Sequence, residues 1–314
     1  MSGNTPVLFV SIVVCTHSLE DYPNLAEAVD SLLAQSYQDK EIIIAVDGNR
    51  ELYRKVLSGF ADNNIVRAVL LEKNAGVSEA RNAGIRVAKG NVIAFLDDDA
   101  VAEKRWIENL VATYHEFAAI AVGGKILPQW DDSKPDYFPE ELYWLVGVTN
   151  DSFAAEKVVE VRNTFGPNMS FKNEVFREVG LFNSGFGFAG ISSVQAEEPE
   201  IALRMKKKFG KGVMYNPNAI VYHKIPSTKV GVRLLLKRSF FQGYSKAFIR
   251  KLDSSVDSMT PEKSYLKYLL LKKLPQRIKK AYHFTELKKS SVLIASIISV
   301  GLGFAYGYLK KDTR

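Results

Sequence analysis

Cysteine is almost missing from this chain: among 314 residues only Cys15 carries a thiol. No internal disulfide can form, which fits a reducing compartment and leaves the fold to rest on its core. Cys15 itself lies in an apolar run and reads as a small core residue. No basic-then-apolar leader segment opens the sequence, and no repeat or low-complexity tract interrupts it. Charge is absent over one long stretch, the 20 residues from Ser290 to Leu309, which Lys288-Lys289 and Lys310-Lys311 flank. At about 1.5 Å rise per residue such a run matches the ~30 Å hydrocarbon core of a bilayer. Thirteen of the twenty are apolar, four are Ser and three are Gly, so the run is only moderately greasy. The alternative is a buried or surface-lying helix; the basic flanks favour a span or deep anchor over 290–309, followed by a tail at 310–314. Gly303 and Gly307 have the spacing that lets two such helices meet, so a dimer through this helix is expected.

The rest of the composition is ordinary for a globular chain, with 46% apolar and 25% charged residues, and the length allows one large domain with an appendage. The net charge of +7 conceals a division. Residues 224–289 hold 17 Lys/Arg against 4 Asp/Glu, while residues 1–223 are net acidic. A basic C-terminal third on an acidic body points to an anionic surface partner, either lipid or nucleic acid. The adjoining uncharged run favours a membrane, so no nucleic-acid partner is expected. The heavier Lys/Arg load precedes the run, which places the body on the cytoplasmic side of the cell membrane. The net charge of +7 also suits a host without a high-salt cytoplasm.

Strand and helix alternate through the first 125 residues. Strands are expected at Val7–Val14, Glu41–Val46, Val66–Leu71, Val92–Leu96 and Ala119–Val122, with helices at Asn24–Ser36, Arg50–Phe60, Ser78–Ala88 and Glu103–Phe117. That alternation predicts an α/β fold with a mostly parallel sheet covered on both faces. Pro128–Pro139 reads as a long loop. Asn168–Phe171 returns to a strand, Asn173–Val179 and Glu197–Phe209 are helical, and Val213–Tyr215 and Ala219–His223 are short strands. The glycine-rich stretch Phe182–Ser193 reads as a lid. Two basic amphipathic helices follow at about 230–252 and 262–282. The expected organisation is a catalytic domain over 1–225, interfacial helices over 226–289, and the anchor.

The chemistry gathers at Val92-Ile93-Ala94-Phe95-Leu96 followed by Asp97-Asp98-Asp99. A buried strand ending in clustered carboxylates presents hard oxygen ligands at a sheet edge, suited to Mn²⁺ or Mg²⁺ against a diphosphate. A helix cap would need one acid, and three adjacent acids repel one another without a cation. In extended geometry Asp97 and Asp99 share a face while Asp98 points away.

Several segments in order strengthen this reading: Ser11-Ile12-Val13-Val14-Cys15-Thr16-His17, Val46-Asp47-Gly48, Asn74-Ala75-Gly76 with Ala80-Arg81-Asn82-Ala83-Gly84, Leu96-Asp97-Asp98-Asp99, and Glu197-Glu198 with Leu203-Arg204. In this order and spacing the chain resembles the inverting family 2 glycosyltransferases of the GT-A fold. A longer likeness, through Ala34-Gln35-Ser36-Tyr37, Phe138-Pro139-Glu140-Glu141-Leu142-Tyr143-Trp144, Val161-Arg162-Asn163-Thr164 and Arg238-Ser239-Phe240-Phe241-Gln242-Gly243-Tyr244, is to archaeal glucuronosyltransferases that extend a glucosyl-dolichyl phosphate. The resemblance implies a UDP-sugar donor held by Thr16, His17, Asp47, Arg81, Asp97 and Asp98, with Asp47 reading the uracil. It implies Asp99 as direct metal ligand, with Asp97 on ribose or metal water, and His223 closing on the metal or diphosphate. It implies an acidic base at the start of the helix opening at Glu197. The family pattern ends in Asp where this chain has Glu198, so Glu197, Glu198 and Glu200 stay open, with Glu198 favoured.

On the acceptor side Trp130, Trp144, Phe186 and Phe188 offer stacking surfaces, and Arg162 a partner for a sugar carboxylate. The resemblance adds Asn168, Met169 and Ser170, with Glu197 nearby. The basic helices suit a polyprenyl or dolichyl phosphate acceptor at a membrane. Within the family, the competing expectation is a hexosyltransferase making a polyprenyl-phosphate sugar or a surface polysaccharide. Outside it, the competing expectation is a non-catalytic membrane-bound binder of sugar nucleotides or nucleic acid, against which the intact Asp triplet and helix-opening acids stand.

Overall fold

A computed structural model describes residues 6–150, 156–185, 196–253 and 259–310. The backbone falls into two compact units, one of Met1–Leu127, Ala155–Ser192 and Glu197–His223, the other of Pro128–Ala154, Ser193–Ala196 and Lys224–Arg314.

The first unit is built on the expected α/β alternation. Strands β1 (Val10–Thr16), β2 (Lys40–Asp47), β3 (Val66–Leu71) and β4 (Val92–Asp97) lie in the order β3-β2-β1-β4, all parallel. Helices α1 (Tyr22–Leu33), α2 (Arg50–Gly59) and α3 (Val77–Val87) connect them. β1, β2 and β4 are near-continuous apolar runs because a parallel sheet is buried on both faces. Ile12, Val14, Ile42, Ile44 and Leu96 enter one core with Leu25, Val29 and Leu32 of α1. Val13, Ile43, Ile93 and Phe95 enter the other. There Phe95, Phe171, Phe176 and Phe182 meet edge-on at ring separations of 5.4–6.4 Å, a geometry that suits the ring quadrupole.

Beyond β4 the sheet becomes mixed. The three-residue β5 (Ala100–Ala102) follows Asp97 after a tight turn, and α4 (Trp106–Glu116) and β6 (Ala121–Trp130) follow. β7 (Val159–Val161), β8 (Met169–Lys172), α5 (Asn173–Val179), α6 (Glu197–Phe209) and β9 (Val213–Ile225) complete it. β8 pairs antiparallel with β4 and β6, and β9 pairs antiparallel with β5 and β7. β9 is one strand where two were expected: α4 holds its polar middle, with Asn216 Nδ2 donating to Thr113 Oγ1 at 2.8 Å and Asn109 Nδ2 to the Asn218 carbonyl at 2.7 Å. The expected loop at Pro128–Pro139 begins later, because β6 runs on to Trp130.

In the second unit a 3-10 helix at Glu140–Val146 joins α7 (Val232–Leu252), α8 (Thr260–Tyr268), a π-turn at Leu269–Lys273, α9 (Leu274–Ile278) and α10 (Phe284–Leu309). The second basic helix is thus broken, with Pro275 in the first turn of α9. Within this unit the 3-10 helix is tied to the later helices. Tyr265 donates to the Glu141 carbonyl, and Arg277 reaches Glu141, Glu140 and Glu286 at 2.7–2.8 Å. Gly303 and Gly307 do not face outward for a second copy: they lie on α7, where a Cβ at Gly303 would strike the Phe240 carbonyl and one at Gly307 would meet Tyr244 and Ala247.

Candidate active site

Parallel pairing brings three strand ends to one edge. Thr16 of β1 sits opposite Val46, one residue before Asp47, and Cys15 sits opposite Asp97. This carboxyl edge is where open α/β sheets receive ligands. Asp97 is the last residue of β4, and Asp98 and Asp99 form the turn into β5. β5 pairing then sets Ala100 opposite His223 of β9. His223 Nε2 lies 3.1 Å from Asp99 Oδ1, and ligand atoms of Asp97, Asp99 and His223 fall within 4.8 Å of one another. The extended geometry expected for the triplet gives way to a turn, yet the outer two acids still converge.

The three donors, two carboxylate oxygens and an imidazole nitrogen, fit a divalent ion such as Mn²⁺ and sit on the scale of one coordination sphere, with bonds of about 2.0–2.2 Å. Asp98 stands apart: burial pushes its carboxyl up to about 7, with the Thr16 hydroxyl pulling the other way and its acidic neighbours adding to the rise.

Arg81, on α3, fills the centre. Its side chain is 5% exposed and lies 3.7 Å from Asp97, 3.5 Å from Glu198 and 3.8 Å from Glu197. Burial disfavours its charge, but Glu198, Asp97 and Glu197 outweigh that and raise its pKa. At Asp97 burial raises the pKa and Arg81 opposes it. Gly166 permits this arrangement, since a Cβ there would run into the Arg81 guanidinium and sit 3.0 Å from Glu198 Oε1.

The three acids of α6 separate by their partners. Glu200 is committed to Arg204, with Nε–Oε1 and Nη2–Oε2 contacts both at 2.8 Å. Arg204 in turn donates to the Val179, Gly180 and Leu181 carbonyls. Glu197 is nearly sealed, with 7% of its side chain exposed against 19% for Glu198. Glu198 is therefore the most open of the three.

Other expected residues have different surroundings. Both Asp47 oxygens accept backbone N–H groups, from Ala75 and Gly76 at 2.8 Å, so this carboxylate anchors the loop before α3. His17 is exposed, and its carbonyl accepts from Asn49. Asn168, Met169 and Ser170, expected on the acceptor side, are buried. Asn168 accepts from Trp106 Nε1 at 2.9 Å and donates to the Lys125 and Ala219 carbonyls. Ser170 donates to the Val122 carbonyl at 2.7 Å. Arg162 is half-buried just past β7, with Nε on Asn163 Oδ1 at 3.0 Å. Trp130 packs on Phe138 and Tyr143, and Trp144 belongs to the second unit under the Lys246 ammonium. Phe186 and Phe188, and most of the expected lid, lie outside the described residues. In the sequence, only Pro167 beside it and the strand that follows mark Gly166 as a place of tight approach.

A mostly parallel sheet with an Asp-turn-Asp edge, a partnering histidine and a carboxylate helix beside it has the architecture of the GT-A fold. Residues 11–180 match the family Glycosyl transferase family 2, and the chain belongs to it. A glucosyl-dolichyl phosphate glucuronosyltransferase of Haloferax volcanii is 42% identical over 305 residues, 96% of each chain. Among solved structures, the mannosyltransferase PcManGT from Pyrobaculum calidifontis in complex with GDP-Man and Mn²⁺ matches at TM-score 0.62 and 16% identity, over 96% of this chain and 80% of its own. GalNAc-T7 with UDP, GalNAc and Mn²⁺ matches at 0.54 and 17%, over 82% and 53%. These two likenesses speak to the fold.

Proposed function

We propose that this glycosyltransferase moves glucuronate from UDP-glucuronate to a glucosyl-dolichyl or related polyprenyl phosphate, with inversion, on the cytoplasmic side of a membrane. The carrying observation is the single Arg81 guanidinium that touches both Asp97 of the acid turn and Glu198 of α6. Leaving-group and nucleophile chemistry then act on one sugar. The whole-length relative supports the donor and acceptor. The basic second unit supports the membrane.

Asp97, Asp99 and His223 would hold Mn²⁺ or Mg²⁺. A divalent ion so bound supplies positive charge against the departing diphosphate. Glu198 accepts the proton of the acceptor hydroxyl as its oxygen attacks the anomeric carbon and the bond to UDP breaks. Thr16, Asp47 and the loop that Asp47 anchors border the nucleotide, and Arg81 balances the carboxylates on either side of the reaction. Arg162 is the proposed partner of the sugar carboxylate.

The test is turnover by purified protein with Mn²⁺, a panel of UDP-sugars and a short glucosyl-polyprenyl phosphate. Glu198→Gln is expected to lower kcat by roughly 10²–10⁴-fold with UDP affinity unchanged by calorimetry. A near-normal kcat, or anomeric NMR showing retention, would overturn the mechanism; a preference for UDP-glucose would overturn the donor.

A further inference from the structure

By length and composition α10 is able to cross a membrane. Its packing argues against a crossing. α7 and α10 run parallel, and three of their contacts share an offset of 63 residues: Ser299 Oγ donates to the Leu236 carbonyl at 2.8 Å, Gly303 lies on Phe240 and Gly307 on Tyr244. The backbones touch, because a Cβ at Gly243 would strike the Val300 carbonyl just as one at Gly303 would strike Phe240. Further along, Lys251 Nζ donates to the Lys310 carbonyl at 2.7 Å.

This register decides what a span would carry with it. The middle of the uncharged run Ser290–Leu309 falls between Ser299 and Val300. Ser299 on Leu236 and Val300 against Gly243 bracket that level on α7 between residues 236 and 243, a stretch that includes Lys237 and Arg238. α7 contains Arg233, Lys237, Arg238, Lys246, Arg250 and Lys251 and no acid. Arg238 donates to the Leu145 and Lys229 carbonyls, so irregular backbone travels with it. Crossing the bilayer along 290–309 would place basic side chains at the midplane and non-helical backbone in hydrocarbon, both strongly opposed.

What α10 offers to its surroundings is one stripe. Leu287, Ile294, Ile298, Leu302 and Leu309 are exposed at helical spacing, opposite the face that meets α7. Lys288, Lys289 and Lys310 border the stripe, and α7 adds its own cations. Resting on the membrane reading above, we infer that α10 lies in the plane of one leaflet, with this stripe at the acyl boundary and the surrounding Lys/Arg on anionic headgroups. The anchor is monotopic, and both ends of α10 stay on the enzyme's own side. The positive rim suits an anionic bilayer and repels a second copy of the same surface.

Sidedness tests this with the full-length protein in sealed vesicles from expressing cells and a membrane-impermeant maleimide. Lys310→Cys reports the end of α10, and Arg54→Cys, on the exposed side of α2, reports the body. The parent, with its lone Cys15, measures background. Both reporters are expected to react from the same side, before and after the vesicles are opened. Lys310→Cys protected until opening, while Arg54→Cys reacts at once, would overturn the monotopic anchor and leave the membrane reading standing. Protein that fails to float with liposomes of phosphatidylglycerol would remove both. Tyr308→Cys, also exposed, repeats the measurement where Lys310→Cys disturbs the helix end.

Discussion

Arg81→Met removes the cation at the centre of the site and keeps most of its volume. Three carboxylates lie 3.5–3.8 Å from the guanidinium. At an effective dielectric of about 20, each attraction at that distance is worth about 4–5 kcal/mol before desolvation. Desolvating Arg81 and holding three acids together offset much of this. Breaking a buried ion cluster by deleting one partner costs about 3–5 kcal/mol. The contacts sit at or beyond the edge of hydrogen-bond range, which favours the lower figure, about 3 kcal/mol near pH 8. The loss has a definite pH sign. In the parent, burial raises the Asp97 pKa and Arg81 restrains it; without Arg81 the folded-state value climbs further above the unfolded one. A raised carboxyl is accommodated while protonated, so the penalty is small below about pH 4 and grows as pH rises through the folded value. Mn²⁺ at the Asp97/Asp99 pair is expected to return part of the stability. Urea unfolding of detergent-solubilised protein at pH 5 and pH 8, with and without Mn²⁺, reads all three effects from the midpoint. A loss under about 1 kcal/mol at pH 8, or one that does not change with pH, would refute the account of Arg81 as the charge-balancing centre.

The metal reading separates neighbouring acids: Asp99→Asn or His223→Ala should weaken Mn²⁺ binding by at least ~10-fold in calorimetry. Asp98→Asn, outside the three-residue group, should leave it nearly unchanged. Equal losses at Asp98 and Asp99 would reject that ligand set. Gly303→Ala should destabilise the helical unit by about 1–3 kcal/mol through overpacking against Phe240. Gly301→Ala, with open space around it, should match or slightly exceed the parent. Thermal unfolding that ranks the two alike would reject the α7–α10 seam.

Local patterning made the first half of the fold legible. Apolar runs at β1, β2 and β4 announced a doubly covered parallel sheet, and the helices between them fell within a few residues of expectation. The order of Asp47, the Asp triplet, Glu197-Glu198 and His223 was legible too, and the structure brings Arg81, Asp97, Asp99, Glu197, Glu198 and His223 together. What stayed hidden depended on distant partners. β5 and β7 are three residues each and exist because β9 pairs with them. Asn216-Pro217-Asn218 looked like a break in β9, but side chains of α4 satisfy it. Asn168, expected on the acceptor side, is buried and makes three bonds inside the fold. The glycines of α10 had the spacing of a dimer motif, and only tertiary packing reveals that their close neighbour belongs to the same chain.

Gly166 has a consequence for how this enzyme can diverge. Any side chain there must displace the tip of the Arg81 guanidinium, so a substitution at this position also resets the charge balance between Asp97 and Glu198. Variation in size at residue 166 is therefore tied to variation in the electrostatics of the site, and the two cannot be tuned separately.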